Sequence, residues 1–489
     1  MKIRSIKFNY ILNLFRALSG GLVTIAVMPH VNRVLGPETV GKVEYIYTIA
    51  NYFVLFSAIG IPMYGVREIA KVRENEVERV RVAAELLLIL AITTVISYLF
   101  YFGIIYQLAS FENYKSLLLV MSAMILLSNL GAEWYFQGIE DQLYITIRYV
   151  IVRVLAVVLV FFGITNEQDY LVYGVVLVLT LCGSGIFNFF YLAKILQINR
   201  KSLSNLNFRR HLKPVLTIFF AAISINIYLQ LDNFLIGFLV GDKYVGYYSV
   251  ANKLIRFSIS FITIIGAVLL PRLSNLYIND HAQYIVLLKK AFSIILIASI
   301  PTSFIFMFYS KELIGYMAGP NFTESVLTME ILSPLCIVVG LAYFFGYLVL
   351  YPQNKEAIYT KAVVVSALFS VLVNFFAIKY YFQNGAAVIA VISEVIAILI
   401  MIFMAREEIS KAQLIDKNLL KIIAASALVF VFIQVIDFSI DLTNLFILMS
   451  ILASVYIVFV GGLFFMKEKT VFEIVSKALA RLKSSKINA

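Results

Sequence analysis

About fourteen runs of roughly 18 to 25 apolar residues fill most of this 489-residue chain, and the connections between them are short. Each run can cross a hydrocarbon core of roughly 30 Å as a helix. Lipid offers no water to backbone N–H and C=O groups, so a spanning segment bonds within itself as a helix or closes into a barrel. The runs are too long and too continuous for barrel strands, which alternate over about ten residues. The expected class is all-α: a polytopic integral membrane protein with about 14 transmembrane helices. A mean hydropathy of +0.92 with 14% charged residues agrees, since soluble domains carry about a quarter.

The segments cover 11–34, 43–65, 82–106, 116–137, 145–164, 170–193, 215–240, 247–270, 287–309, 323–351, 361–379, 385–405, 419–437 and 444–466. Of the 40 Lys and Arg residues, 30 fall in alternate connections and the two tails or within four residues of them. Six fall on the opposite side: Arg33, Lys42, Lys115, Lys243, Lys311 and Lys379. Basic residues near span ends resist translocation, so both termini are expected in the cytoplasm. The net charge of +12 then marks topology and attraction to anionic membrane lipids, and no nucleic-acid partner is expected.

The basic connection 196–214 separates an N-lobe of six spans (1–195) from a C-lobe of six (215–410). Two extra C-terminal helices lie in 411–466, and 467–489 is a basic amphipathic tail suited to the inner leaflet. An internal repeat supports the duplication. Gly36, Val40 and Gly41 recur as Gly241, Val245 and Gly246, and Arg67 as Arg272, all 205 residues apart. Two such parallel repeats suggest lobes flanking a central path.

Catalytic, metal and cofactor sites are not expected, and neither is enzymatic activity. The three histidines are scattered, and Cys182 and Cys336 sit inside apolar runs as core residues. Gly36–Lys42 fits GxxxxGK, but Val43 replaces the magnesium-binding hydroxyl and no strand precedes it, so it reads as a tight turn.

What remains are four cations inside the segments: Arg16, Arg153, Lys253 and Arg256. Intramembrane charge is costly and by default suggests function. Lys253 and Arg256, three apart, share a helix face, and Asp232 at similar depth is a candidate ion-pair partner or ion-coupling carboxylate. Snorkelling to head groups is the alternative for Arg16 and Arg153, and a structural ion pair with Asp232 for the other two. Four cations against one central acid leave a positive surplus, which calls for an anionic substrate. Asn129, Asn226, Gln230 and Asn374 could line a polar cavity or hold helices together.

Several stretches resemble the bacterial polysaccharide-transporter family. They are Leu35–Gly41, Glu133-Trp-Tyr-Phe-Gln-Gly-Ile-Glu140, Leu231–Gly237, Val245–Leu254, Leu270-Pro-Arg-Leu-Ser274 and Gly385–Glu394, in the family's order. The resemblance is to Wzx-type O-antigen flippases of the multidrug/oligosaccharidyl-lipid/polysaccharide exporter superfamily. It implies two lobes around a cationic cavity and export of a polyprenyl-diphosphate-linked oligosaccharide. Coupling to H+ or Na+ and a pathway polymerase as partner are further expectations. The alternatives are a lipid II flippase, a multidrug antiporter of the same fold, or a membrane-embedded polymerase or ligase. The last usually needs a large outer loop, and the longest here is only about thirteen residues.

The topology is testable in a cysteine-free variant. Single cysteines at Ser204 and Thr323 should label from inside and outside respectively; outside labelling at Ser204 would invert the assignment.

Overall fold

The computed structural model describes residues 6–196, 206–406, 410, 414, 416–437 and 444–477. Ser204, the middle of the basic linker and the tail beyond 477 therefore lie outside the described residues. Helices account for nearly all of the rest, and no strand occurs among the described residues.

The N-terminal helices are α1 (Ile6–Ala58), α2 (Ile61–Lys71), α3 (Glu76–Gly103), α4 (Lys115–Leu130), α5 (Glu133–Gly138) and α6 (Gln142–Gly163). Then follow α7 (Tyr170–Cys182), α8 (Ser184–Leu196), α9 (Arg209–Leu239), α10 (Asp242–Asn279), α11 (His281–Phe308) and α12 (Ser310–Met317). The remainder are α13 (Ser325–Leu332), α14 (Leu335–Tyr343), α15 (Glu356–Met404), α16 (Lys417–Asp437) and α17 (Leu445–Phe465). Local signals set several starts. Asn75 caps α3 by accepting from the Glu78 amide, with Glu76 and Glu78 in the first turn, and Asp280 caps α11 through the Gln283 amide.

By length and composition, ten described helices can cross a membrane, or eleven if the bent pair α7–α8 counts as one span. The difference from the fourteen expected segments lies largely in two long runs, Ser19–Lys71 and Glu356–Met404, of 53 and 49 residues. Both are far longer than the roughly 20 residues a span needs. Glu356–Met404 is broken at Phe382 (φ 53°), and Ser19–Lys71 is broken at Gly36 (φ 71°) and again at Ile59 and Gly60 (φ 42° and 79°) between α1 and α2.

The chain divides into two compact units, Met1–Gly246 and Tyr247–Ala489. In the first, α2 and α5 pack through Ile61, Tyr64, Ile69, Trp134, Phe136 and Ile139. Gly65 admits the Trp134 ring, which a Cβ there would meet at 2.6 Å. One end of α9 is tied to α2 and α3 by polar groups. Fully buried Glu85 accepts from His211 Nε2 (2.7 Å), Arg210 Nη2 (2.6 Å) and the Asn207 amide (2.7 Å), while Tyr64 Oη meets His211 Nδ1 at 2.8 Å. Asn129 donates to Ser57 and Thr94, both at 2.8 Å, joining α1, α3 and α4. Those two hydrogen bonds make it interhelical glue.

The repeated glycines explain themselves here. Gly36 and Gly241 both have positive φ (71° and 102°), and each is followed by a helical stretch. Five residues on from each, Gly41 and Gly246 meet the other copy's first turn. A Cβ on Gly41 would lie 1.8 Å from the Asp242 carbonyl oxygen, and one on Gly246 would lie 2.0 Å from that of Pro37. Pro37 and Asp242 are themselves 205 residues apart, so the contact is symmetric.

In the second unit, α11 packs against α14, α16 and α17. A helix over residues 469–477 follows α17 and is held to α11 by Lys290 Nζ–Glu473 Oε2 at 2.6 Å.

Gly41→Ala and Gly246→Ala should each lower the melting temperature of purified protein, by at least the 1–3 kcal/mol typical of overpacking. Gly461→Ala, where a Cβ meets nothing within 4 Å, should be neutral or better. Equal melting points for all three would refute the backbone contact.

Candidate functional site

The site begins with a break in a span. α4 ends at Leu130, and Ala132 (φ 39°, ψ 45°) turns the chain before α5 opens at Glu133. The turn is buttressed by α8: a Cβ on Gly185 would lie 2.3 Å from the Leu127 carbonyl oxygen, and one on Gly131 would lie 2.6 Å from Gly185 Cα. Beside it opens a cavity of about 290 Å³ whose lining includes Pro62, Glu133, Trp134, Gln137, Cys182 and Asn188.

Two of the four expected cations converge here. Arg16 Nη1 of α1 lies 2.5 Å from Glu133 Oε1, which also accepts from Gln137 Nε2 at 2.8 Å. Arg153 of α6 donates to the Arg16 carbonyl oxygen (3.1 Å) and to Ser19 Oγ. The Tyr149 ring is flanked by both guanidiniums, with centroid distances of 5.7 Å to Arg16 and 4.5 Å to Arg153. The electron-rich face of that ring offsets part of the repulsion between two like charges. Gly20 leaves room for the Arg153 head, since a Cβ there would lie 2.6 Å from its Nη2. Arg16 and Glu133 are 19% and 30% exposed, and of the cluster it is Glu133 that lines the cavity, with Arg16 paired behind it. Two guanidiniums against one carboxylate leave the cluster one positive charge in excess, and planar N–H forks suit bidentate binding of phosphate oxygens.

Lys253 and Arg256 lie half-buried on α10 in the second unit, and Arg256 Nε donates to Asn252 Oδ1 one turn back. Asp232 on α9 is buried. The Asn226 side chain lies outside what the structure describes.

Two expectations need correction. The balance of four cations against one acid omitted Glu133, which the Ala132 break brings inside to pair with Arg16. The list of four cations also omitted Arg148, which is buried, lies 3.6 Å over the Tyr144 ring and 5.0 Å over Phe136, and donates to the Tyr144 carbonyl oxygen. Its position three residues inside an expected boundary made it look like an end-of-span residue. Tyr149, Ser19 and Gly20 carried no sequence signal except their spacing: Tyr149 precedes Arg153 by four residues, one helical turn.

Among curated proteins, the chain is similar to the "Putative O-antigen transporter" of Escherichia coli (strain K12). They are 21% identical over 388 residues, covering 79% of this chain and 94% of that protein. The protein of the same description from Shigella dysenteriae is 22% identical over 383 residues, covering 78% and 95%. Among solved structures it is similar to "Lipid II flippase MurJ, inward closed conformation", with a TM-score of 0.72 at 14% identity over 93% of this chain and 99% of that one. An inward-facing multidrug resistance MATE family transporter of the MOP superfamily superposes with a TM-score of 0.64 at 13% identity, over 81% and 95%. At such identities these two speak for the fold, that of polytopic membrane transporters. Residues 9–277, more than half of the chain, match the family described as "Polysaccharide biosynthesis protein", and the chain belongs to that family.

Proposed function

We propose that this protein is a flippase for a polyprenyl-diphosphate-linked oligosaccharide, an O-antigen or similar polysaccharide repeat unit. It would move its substrate from the inner to the outer leaflet of the bacterial cytoplasmic membrane by alternating access, with no enzymatic step. The observation that carries this is the Arg16–Arg153 pair beside a cavity in a transporter fold. An arginine pair with one surplus charge recognises an anion, and a diphosphate supplies oxygens for both forks. Glu133 keeps Arg16 oriented until the head group replaces it. Lys253 and Arg256 are the second pair in this scheme, and Asp232 is either an ion-pair residue or a coupling site for H+ or Na+.

A multidrug antiporter of the same fold is disfavoured, because cationic drugs call for acidic residues where this chain places arginines. A lipid II flippase would use the same head-group chemistry; the two relatives described as O-antigen transporters favour the polysaccharide unit.

The test is deletion of the gene and analysis of lipid-linked intermediates, with variants restored on a plasmid. Unit-length oligosaccharide-lipid should accumulate on the inner leaflet. Arg16→Ala and Arg153→Ala should cut export by roughly 10- to 100-fold, the worth of a hydrogen bond to a charged group, at unchanged membrane level. Lysine at either position should retain part of it. Gly20→Ala, which crowds the Arg153 head, should give a milder loss. Glu133→Gln should keep most export, since it only releases Arg16. Equal loss in Glu133→Gln and Arg16→Ala would make the pair structural and sink the proposal.

A further inference from the structure

Another cavity, of about 190 Å³ and with three lysines in its lining, lies in the second unit. It forms where the first turns of α11, the start of α16 and the helix over 469–477 meet, and its polar lining is Lys289, Lys290, Ser293, Asp416, Asn418, Lys469 and Thr470. One water needs only about 10–15 Å³ on this scale, so the space admits a phosphate group with its hydration.

The charges divide unevenly. Asp416 is spent on capping α16: its Oδ1 accepts from the Asn418 and Leu419 amides at 2.8 and 3.1 Å, and its Oδ2 from Asn418 Nδ2 at 3.3 Å. The partial positive charge of the helix start answers that carboxylate. Lys290 is taken by Glu473, which also binds Lys477 at 2.8 Å. Those two lysines, Lys290 foremost, pull the Glu473 carboxyl down to about 2, so it stays ionised and keeps Lys290 engaged. Lys289 and Lys469 make no ion pair among the described residues. Both line the cavity, Lys289 half-buried and Lys469 exposed, with no answering carboxylate among the described residues.

The remaining wall is apolar: Ile285, Val286, Leu414, Leu419 and Ile422. All three elements contribute helix ends, which places the cavity at the membrane edge, on the side that the basic residues assign to the inner leaflet. Ammonium groups and hydroxyls above an apolar wall match the junction of a phospholipid head group with its chains, whereas a soluble phosphate or nucleotide has no use for the wall.

We propose that this cavity binds the phosphate head group of an anionic phospholipid of the inner leaflet, held by Lys289 and Lys469 with Ser293, Asn418 and Thr470 as further donors. The bound lipid would fasten α11, α16 and the C-terminal helix together at the membrane surface. The proposal uses the inside-positive topology and is independent of what the protein carries.

The test is the thermal stabilisation of the purified full chain in neutral micelles as phosphatidylglycerol is titrated in, because a ligand of the folded state raises the melting point. Each lysine at an anionic surface is worth about fivefold in affinity, so Lys289→Gln/Lys469→Gln should shift the titration midpoint by about 25-fold. Lys289→Arg/Lys469→Arg should titrate like the parent. Lys194→Gln/Lys213→Gln, exposed positions on the first unit, should also titrate like the parent. An unshifted midpoint in the glutamine double variant overturns the site. So does an equal shift in the Lys194/Lys213 control, which would indicate general surface attraction, and so does equal stabilisation by inorganic phosphate, which would indicate a free-anion site. If the glutamine variant is unstable even in neutral micelles, the arginine variant decides: parent-like titration supports the site and a lost response overturns it. Transport is not measured, so the outcome does not depend on the flippase proposal.

Discussion

In hydrocarbon a peptide group must find its hydrogen bond within the protein, and every other feature of this molecule is arranged around that demand. It turns the apolar runs into helices and makes each interruption expensive. Interruptions therefore occur where neighbouring protein surrounds them. The Ala132 break is enclosed by α8 through Gly131 and Gly185. The break at Ala132 also has a chemical result. A straight span would carry the residues after Leu130 onward along its axis; the turn instead starts a new helix beside a cavity and presents Glu133 to Arg16.

Electrostatics inside the first unit follow from that geometry. Arg16 and Arg153 would repel one another strongly in a medium of low dielectric constant. The molecule does not cancel them with two carboxylates. It uses one carboxylate, one aromatic face and backbone or hydroxyl acceptors, so both heads are positioned while a net charge is kept. A full complement of acids would make a quieter core but would leave nothing for an anion to bind. The contrast with Glu85 is instructive: there a buried carboxylate has Arg210, His211 and an amide around it, all its acceptor capacity is used, and the result is a structural tie.

Much of this was legible in the sequence because it is periodic. Segment length gave the helical class, and three-residue spacing put Lys253 and Arg256 on one turn. What escaped was whatever depends on one segment meeting another. Glu133 stood in view within its motif, yet its pairing with Arg16, 117 residues away, requires the turn at Ala132. Arg148 was hidden by a boundary error of a few residues. The Gly36–Lys42 turn was read correctly as structural, but its purpose, contact with the second copy of itself, is a tertiary fact.

That contact accounts for how faint the duplication has become. Where two copies touch through backbone atoms alone, the side chains at the touching carbonyls are free to drift, and they have: one copy holds Pro37 where the other holds Asp242. The turn's glycines, which must lack a side chain, keep their letter, and few other positions do, Val40/Val245 and Arg67/Arg272 among them. A duplication joined this way erodes to a few glycines in the text of the sequence while its geometry stays intact, so its age is better judged from the fold than from the count of surviving matches.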